Sequence, residues 1–226
     1  MSHFFPPTPL RLFLRFPSLP VYSPQPLPPL SWAVGGRRGA LSSPGAGPEQ
    51  QLEAENLSEG LDSWEILKNG GDGWRIETIP GDYGRAFHDL QIQKYFVTSY
   101  GQCKKSQIID LKQEGYWEEL MDVIQPDIEI KDWYAARQDC GCQYELCVQL
   151  LSKDYIVRQQ FCPEVVIIEQ WSDAQWTEVT HTFKNYGPGV RYICFQHGGK
   201  DTQFWAGWYG VRLTDSSVAI LPEELM

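Results

Sequence analysis

Long apolar runs are missing from this 226-residue chain: no stretch of 18 apolar residues occurs, which excludes a membrane-spanning helix. Basic residues are also in short supply, 19 Lys+Arg against 29 Asp+Glu, for a formal net charge of −10. Nucleic-acid affinity rests mainly on Lys and Arg neutralising phosphates, so no nucleic-acid partner is expected. Histidine occurs four times, and no G-x-S-x-G, H-E-x-x-H, P-loop or G-x-G-x-x-G pattern is present. No enzyme and no cofactor is therefore expected. His181, in Thr180-His181-Thr182 on a strand-like run, reads as a hydrogen-bonded structural imidazole rather than a base.

What is present is unevenly spread. Residues 1–48 hold 11 of the 16 prolines and four arginines, with no acid at all. Removing those four from the basic total leaves 15 against 29 acids, a net charge of −14 for the remainder. Proline fixes φ and removes a backbone donor, so neither helix nor central strand is expected in this head. A secretory signal fails as well, because the apolar run Leu10 to Phe16 is interrupted by Arg11 and Arg15. Residues 1–50 are expected to be a disordered Pro-rich segment.

From Trp74 onward, short alternating runs are punctuated by turn signals. Examples are Trp74 to Ile79, Tyr95 to Tyr100, Ser106 to Leu111, Ile128 to Tyr134 and Tyr144 to Leu150. Trp176 to Phe183, Val190 to Gln196, Tyr209 to Thr214 and Ser217 to Leu221 continue the series. Eight or more β-rich segments spaced by turns predict an all-β antiparallel sandwich or barrel. One short helix is expected over Gly115 to Asp122, with Trp117, Leu120 and Met121 on one face, plugging an end of the sandwich.

Six cysteines allow two readings. Cys140-Gly141-Cys142 has one intervening residue, not the spacing of a zinc knuckle, and His181 and His197 supply no second pair. A body of this size needs no staples, so reduced structural thiols and a cytoplasmic location are expected. The most unusual feature is the stretch 196–210, which crowds Phe204, Trp205, Trp208 and Tyr209 among four glycines. Glycine lets backbone turn tightly and bring large rings to the end of a sandwich. Phe204 and Trp205 are the candidates for an exposed platform. Such a platform suits sugar C–H faces, packing or a protein contact.

Several motifs recur together in one known family: Gly70-Gly71-Asp72-Gly73-Trp74, Lys94 through Tyr100, Glu114 through Leu120, and Lys131-Asp132-Trp133-Tyr134. Tyr186 through Arg191, His197-Gly198-Gly199 and Phe204-Trp205-Ala206-Gly207-Trp208 complete the set. Over residues 55–221 the chain resembles the F-box-associated (FBA) domain of the sugar-recognising F-box proteins, with 222–226 as a tail. The resemblance implies a jelly-roll-like, galactose-binding-like antiparallel β-sandwich. It also implies a non-catalytic, lectin-like substrate-recognition role in SCF-type ubiquitin ligases. The ligands implied are the chitobiose core of N-linked high-mannose glycans on misfolded glycoproteins, marked for ubiquitination and ER-associated degradation. The alternative is a protein-interaction sandwich that binds polypeptide and not glycan.

Carried over by position, the implied pocket comprises Tyr100, Asp139, Phe204, Trp205 and Ala206. Trp205 would stack on the sugar, Tyr100 and Phe204 would support it, and Asp139 would accept hydroxyl hydrogen bonds. Phe204 stands where a well-known sugar binder has Tyr, and Ala206 where it has Lys, so binding is expected to persist but weaken. Residues 1–48 lack the leucine-rich helices of an F-box, so no contact with the Skp adaptor and cullin is expected of this chain. The family's opening strand has no counterpart, and one sheet edge is expected to be left unpaired.

Overall fold

The computed structural model describes residues 11–13 and 60–221. Side chains two apart in an extended chain share a face, and the alternating runs accordingly form strands. In chain order these are β1 (Arg11–Phe13), β2 (Glu65–Asn69), β3 (Arg75–Thr78), β4 (Lys94–Val97), β5 (Cys103–Asp110) and β6 (Ile128–Ala135). There follow β7 (Cys142–Leu151), β8 (Val157–Phe161), β9 (Val166–Ile168), β10 (Thr177–Phe183), β11 (Tyr192–Asp201) and β12 (Arg212–Ile220). One sheet has the order β10-β6-β12-β4-β3, with β1 added on β12; the other is β2-β5-β11-β7-β8, with β9 on β7. The all-β antiparallel sandwich expected from the sequence is the fold observed.

β7 shows why the sheets meet. Tyr144, Leu146, Val148 and Leu150 are buried while the residues between them are half-exposed. Opposite them lie Ile128 and Ile130 of β6 and Val218 of β12, all in the same core. Tyr134 of β6 and Tyr144 of β7 stack with centroids 4.1 Å apart. Each such fully buried aliphatic or aromatic side chain contributes roughly 1.5–3 kcal/mol.

Several sequence expectations are corrected. The runs Tyr209–Thr214 and Ser217–Leu221 contribute to one strand, β12 (Arg212–Ile220), with a register shift between Thr214 and Ser217. His197 to Asp201 belong to β11 rather than to a loop. A Cβ on Gly198 would collide with the Cys103 carbonyl, and one on Gly199 with that of Gln143, so glycine here permits pairing on both sides. Strands β2, β8 and β9 gave no signal; β2 is exposed throughout and therefore shows no alternation. β12 is paired along both sides. Opposite β6, Arg212 and Leu213 pair with β4, and Ser217 to Ala219 pair with β1. The remainder of the expected disordered segment, and residues 222–226, lie outside the described residues.

The expected helix is a short π-helical turn, Leu120–Ile124, closed by Gln125 N–H on the Leu120 carbonyl (3.0 Å). Its wider winding keeps Met121 in the core and Leu120 against it. Trp117 does not join them and remains 45% exposed. Asp122 in this turn accepts Gly189 N–H (2.7 Å) and both Nη atoms of Arg191 (2.8 and 2.7 Å). Hydrogen bonding from Arg191, with help from Gly189, lowers its pKa to about 2 although partial burial opposes this. A carboxylate whose pKa falls on folding stabilises above its unfolded value, and that contribution disappears as pH drops through the folded value. Thermal melts between pH 5 and 2 are expected to show an acid-dependent loss that Asp122→Asn lacks; parallel curves for the two proteins would refute the clamp.

The cysteine expectation is also corrected. Pairing of Val148 with Phe161 places Cys147 opposite Cys162, Cα atoms 4.2 Å apart, and the two are joined as a disulfide. Cys103, Cys140, Cys142 and Cys194 are free and buried. His181 stacks on Phe161 at 4.2 Å, a packing role. No helix among the described residues is long and apolar enough to cross a membrane.

Candidate functional site

The aromatic crowd of the sequence becomes a loop, residues 202–210, held from three directions. Asp201, the last residue of β11, is buried, and its carboxylate accepts the backbone N–H groups of Gln203 (3.0 Å), Phe204 (2.6 Å) and Trp205 (3.2 Å). Burial pushes the Asp201 carboxyl above the usual carboxylate range, while those three N–H groups pull it back. On a second side, Gly207 N–H donates to Asp72 (2.6 Å) and its carbonyl accepts from Ser99 Oγ (2.7 Å). Ser99 Oγ in turn accepts Asp72 N–H (2.9 Å). On the third side, Thr202 N–H donates to the Gly141 carbonyl (3.0 Å).

This scaffold leaves Phe204 70% exposed and Trp205 39% exposed, with Ala206 exposed beside them. Phe204 holds φ +58°, the left-handed region that non-glycine residues avoid, and its backbone hydrogen bond to Asp201 maintains it. The Trp205 ring meets Tyr209 edge-on, centroids 5.5 Å apart. Lys200 Nζ lies 5.5 Å from the Phe204 ring. Trp208 is half-buried beneath the Arg75 guanidinium (4.6 Å), and neither it nor Tyr209 opens a strand, since β12 begins at Arg212.

Tyr100 is half-buried on one flank of the loop, following Ser99, whose carbonyl accepts Asp201 N–H (3.0 Å). A Cβ on Gly71 would lie 3.1 Å from Tyr100 Cδ1, so glycine lets the two turns close together. Asp139 is on the other flank, in the turn bridged by Arg137 and Cys140. Its two oxygens accept Nε and Nη2 of Arg137 at 2.9 and 3.0 Å, a bidentate pair. Burial alone would lower the Arg137 pKa; the bonds and charge of Asp139 more than offset it and hold the guanidinium charged. The guanidinium also lies over the rings of Tyr209 (4.6 Å) and Tyr83 (5.4 Å). Of the five sequence-derived residues, Phe204, Trp205 and Ala206 lie in the loop, Tyr100 follows Ser99, and Asp139 lies two residues before Gly141, whose carbonyl binds the loop.

Sequence reasoning missed Asp201, Ser99, Asp72 and Arg137, which hold the loop, and the neighbouring Tyr83 and Trp171. A carboxylate a few residues before crowded aromatics was the available signal for Asp201. Nucleophilic chemistry finds no support at Cys140: burial, then the charges of Asp201 and Asp139, push its thiol up to about 12, so it stays protonated. Among the described residues no group of three or more His, Cys, Asp or Glu could hold a metal ion.

Fold and site together define a β-sandwich module with exposed rings on a loop between two of its strands. The family model for the F-box associated region matches residues 50–220, and the chain belongs to that family. It is 63% identical over 162 residues to F-box only protein 6 of Bos taurus, covering 72% of this chain and 61% of that protein. Human F-box only protein 6 is 58% identical over 73% of this chain and 56% of its own length. F-box only protein 2 of Bos taurus is 52% identical over 73% of this chain and 56% of its own length. The matches therefore span less than two thirds of these relatives. Among solved structures, the CBM22-1 xylan-binding domain of Paenibacillus barcinonensis Xyn10C aligns at a TM-score of 0.40. Its identity is 10%, over 71% of this chain and 87% of that one, too distant to carry a functional conclusion.

Proposed function

We propose that the chain is the glycan-reading part of an SCF-type ubiquitin ligase, binding the chitobiose core of N-linked high-mannose glycans on misfolded glycoproteins. Its role is recognition without catalysis, feeding ubiquitination and ER-associated degradation from the cytoplasm; the Skp adaptor and cullin are partners of the F-box proteins to which it is related. The observation that carries this reading is the Phe204–Trp205 platform, presented to solvent by a buried carboxylate and flanked by Asp139. Sugar C–H faces stack on exposed rings, and hydroxyls bond to nearby carboxylate and amide groups. A carboxylate offers about four lone-pair sites. Arg137 occupies two on Asp139, leaving the others for hydroxyl donors.

Calorimetric titration with chitobiose tests the proposal, with saturable binding and displacement of a high-mannose glycoprotein as the expected outcome. No heat of binding at millimolar sugar would defeat it. Phe204→Tyr restores a hydroxyl worth about 0.5–1.5 kcal/mol and is expected to tighten binding roughly two- to tenfold. The bidentate bond of Asp139 to Arg137 favours a second reading, in which the platform binds polypeptide through apolar contact. Under that reading chitobiose fails to displace a bound client.

A further inference from the structure

Two more large rings stand in solvent at this end of the sandwich. Tyr83 is 61% exposed and Trp171 72%, and neither joins the core. Both hold left-handed backbone, φ +53° and +70°, a conformation bulky residues avoid. The fold keeps these positions strained and gains no burial from them, so packing does not account for them.

The loops beneath them are pinned. Buried Arg212 donates Nη1 to the Pro80 carbonyl (3.1 Å) and Nη2 to that of Asp82 (2.6 Å). Arg85 Nε donates to the Asp173 carbonyl (3.0 Å), and Trp176 Nε1 to that of Arg85 (3.0 Å), tying the Tyr83 loop to the Trp171 loop. Gln170 Nε2 donates to the Asp139 carbonyl (2.9 Å). The Gln138 main chain joins the two segments: its N–H donates to the Tyr83 carbonyl (2.9 Å) and its carbonyl accepts from Trp171 N–H (2.8 Å). Gln138 is itself exposed. An aromatic, an amide and a second aromatic are thus fixed on adjacent stretches of main chain before any ligand arrives.

This arrangement adjoins the Trp205 platform. The Arg137 guanidinium bridges the Tyr83 and Tyr209 rings, and Tyr209 meets Trp205 edge-on. Asp139 neutralises that guanidinium and follows Gln138 directly in the chain.

We propose that Tyr83, Gln138 and Trp171 form a second carbohydrate subsite, which takes the sugar rings beyond the N-acetylglucosamine pair assigned to Trp205. The inference rests on the glycan reading above. Pyranose rings offer C–H faces to aromatic planes, and their hydroxyls both donate to and accept from a carboxamide. The Arg137–Asp139 pair beside it carries no net charge, as suits an uncharged ligand.

Calorimetry on the full chain with two ligands tests this: the β1,4-linked N-acetylglucosamine disaccharide, and the branched pentasaccharide carrying three mannoses beyond it. Wild type is expected to bind the pentasaccharide more tightly. Tyr83→Asn and Trp171→Asn, chosen because asparagine tolerates left-handed backbone, are expected to keep wild-type melting and wild-type disaccharide affinity. Each is expected to lose roughly two- to tenfold for the pentasaccharide. Unchanged pentasaccharide affinity in both variants would overturn the subsite while leaving chitobiose recognition intact. A loss for the disaccharide as well would merge these rings with the Trp205 site and also overturn it. A loss seen only with a glycopeptide would assign them to polypeptide instead. If wild type binds neither sugar, the glycan reading fails and this inference with it.

Discussion

Trp205→Ala is expected to abolish glycan binding while leaving the protein folded. The ring is 39% exposed and its described aromatic neighbour is Tyr209, so truncation empties no core cavity. Losing the edge-on pair costs about 0.5–1.5 kcal/mol of stability. Binding loses far more, because a central aromatic anchor at an interface contributes about 2–4 kcal/mol or more, some thirty- to thousandfold in Kd. The loop keeps its shape in the variant, since Asp201 holds backbone N–H groups that alanine also provides. Chitobiose titration with a parallel thermal melt reads both quantities. A folded variant that binds like wild type would show that the platform lies elsewhere.

The largest stability effect is expected from Asp132→Ala. Asp132 is fully buried on β6 and accepts hydrogen bonds from Tyr144 Oη (2.7 Å) and Ser216 Oγ (2.6 Å). Nδ1 of fully buried His197 lies 2.8 Å from the same carboxylate. His197 stacks on Trp64 at 4.9 Å, and Lys105 Nζ sits 3.6 Å from the Trp64 centroid and 3.2 Å from that of Phe96. Removing the shared acceptor strands three buried donors at a cost of about 3–5 kcal/mol, a large part of a domain's 5–15 kcal/mol. Guanidinium-chloride midpoints measure this, and an unchanged midpoint would contradict it.

Lys105 is expected to behave in the opposite way. Burial drives its ammonium pKa well below the usual lysine range although the charge of Asp132 opposes, and burial likewise lowers that of His197. For both bases the unfolded chain binds more protons, so stability falls as pH drops below the unfolded values, about 10.4 for Lys105 and 6.5 for His197. Much of the Lys105 cost is therefore present at neutral pH, and only part of it is offset by the two ring faces. Lys105→Met is expected to stabilise by on the order of 1–4 kcal/mol at pH 7. Both proteins keep the His197 decline between pH 7 and 5. Destabilisation by Lys105→Met would mean that the ring contacts outweigh desolvation.

Fold class was legible because the central strands are buried on alternate residues, as in β7. What stayed hidden lacked that contrast. β2 is exposed along its whole length, and β8 and β9 are mostly half-exposed or exposed. The Gly198-Gly199 pair suggested a turn because glycine favours turns, yet here it serves close approach of two flanking strands. In the site, Phe204 and Trp205 could be read locally from their crowding. Tyr100 and Asp139 entered only through family resemblance. Asp72 and Arg137 reach the loop, and Tyr83 and Trp171 reach Gln138, across long sequence separations, and the pairing of distant segments leaves no trace in any short window.

The clasp at Asp201 grips peptide N–H groups and ignores what is attached to them. The contour of residues 203–205 therefore depends little on their side chains, provided proline is avoided and position 204 keeps a residue that accepts left-handed backbone. Randomising those positions together with Ala206 leaves the sheets untouched and turns this end of the sandwich into an interchangeable cassette, from which readers of other saccharides could be selected on an unchanged frame.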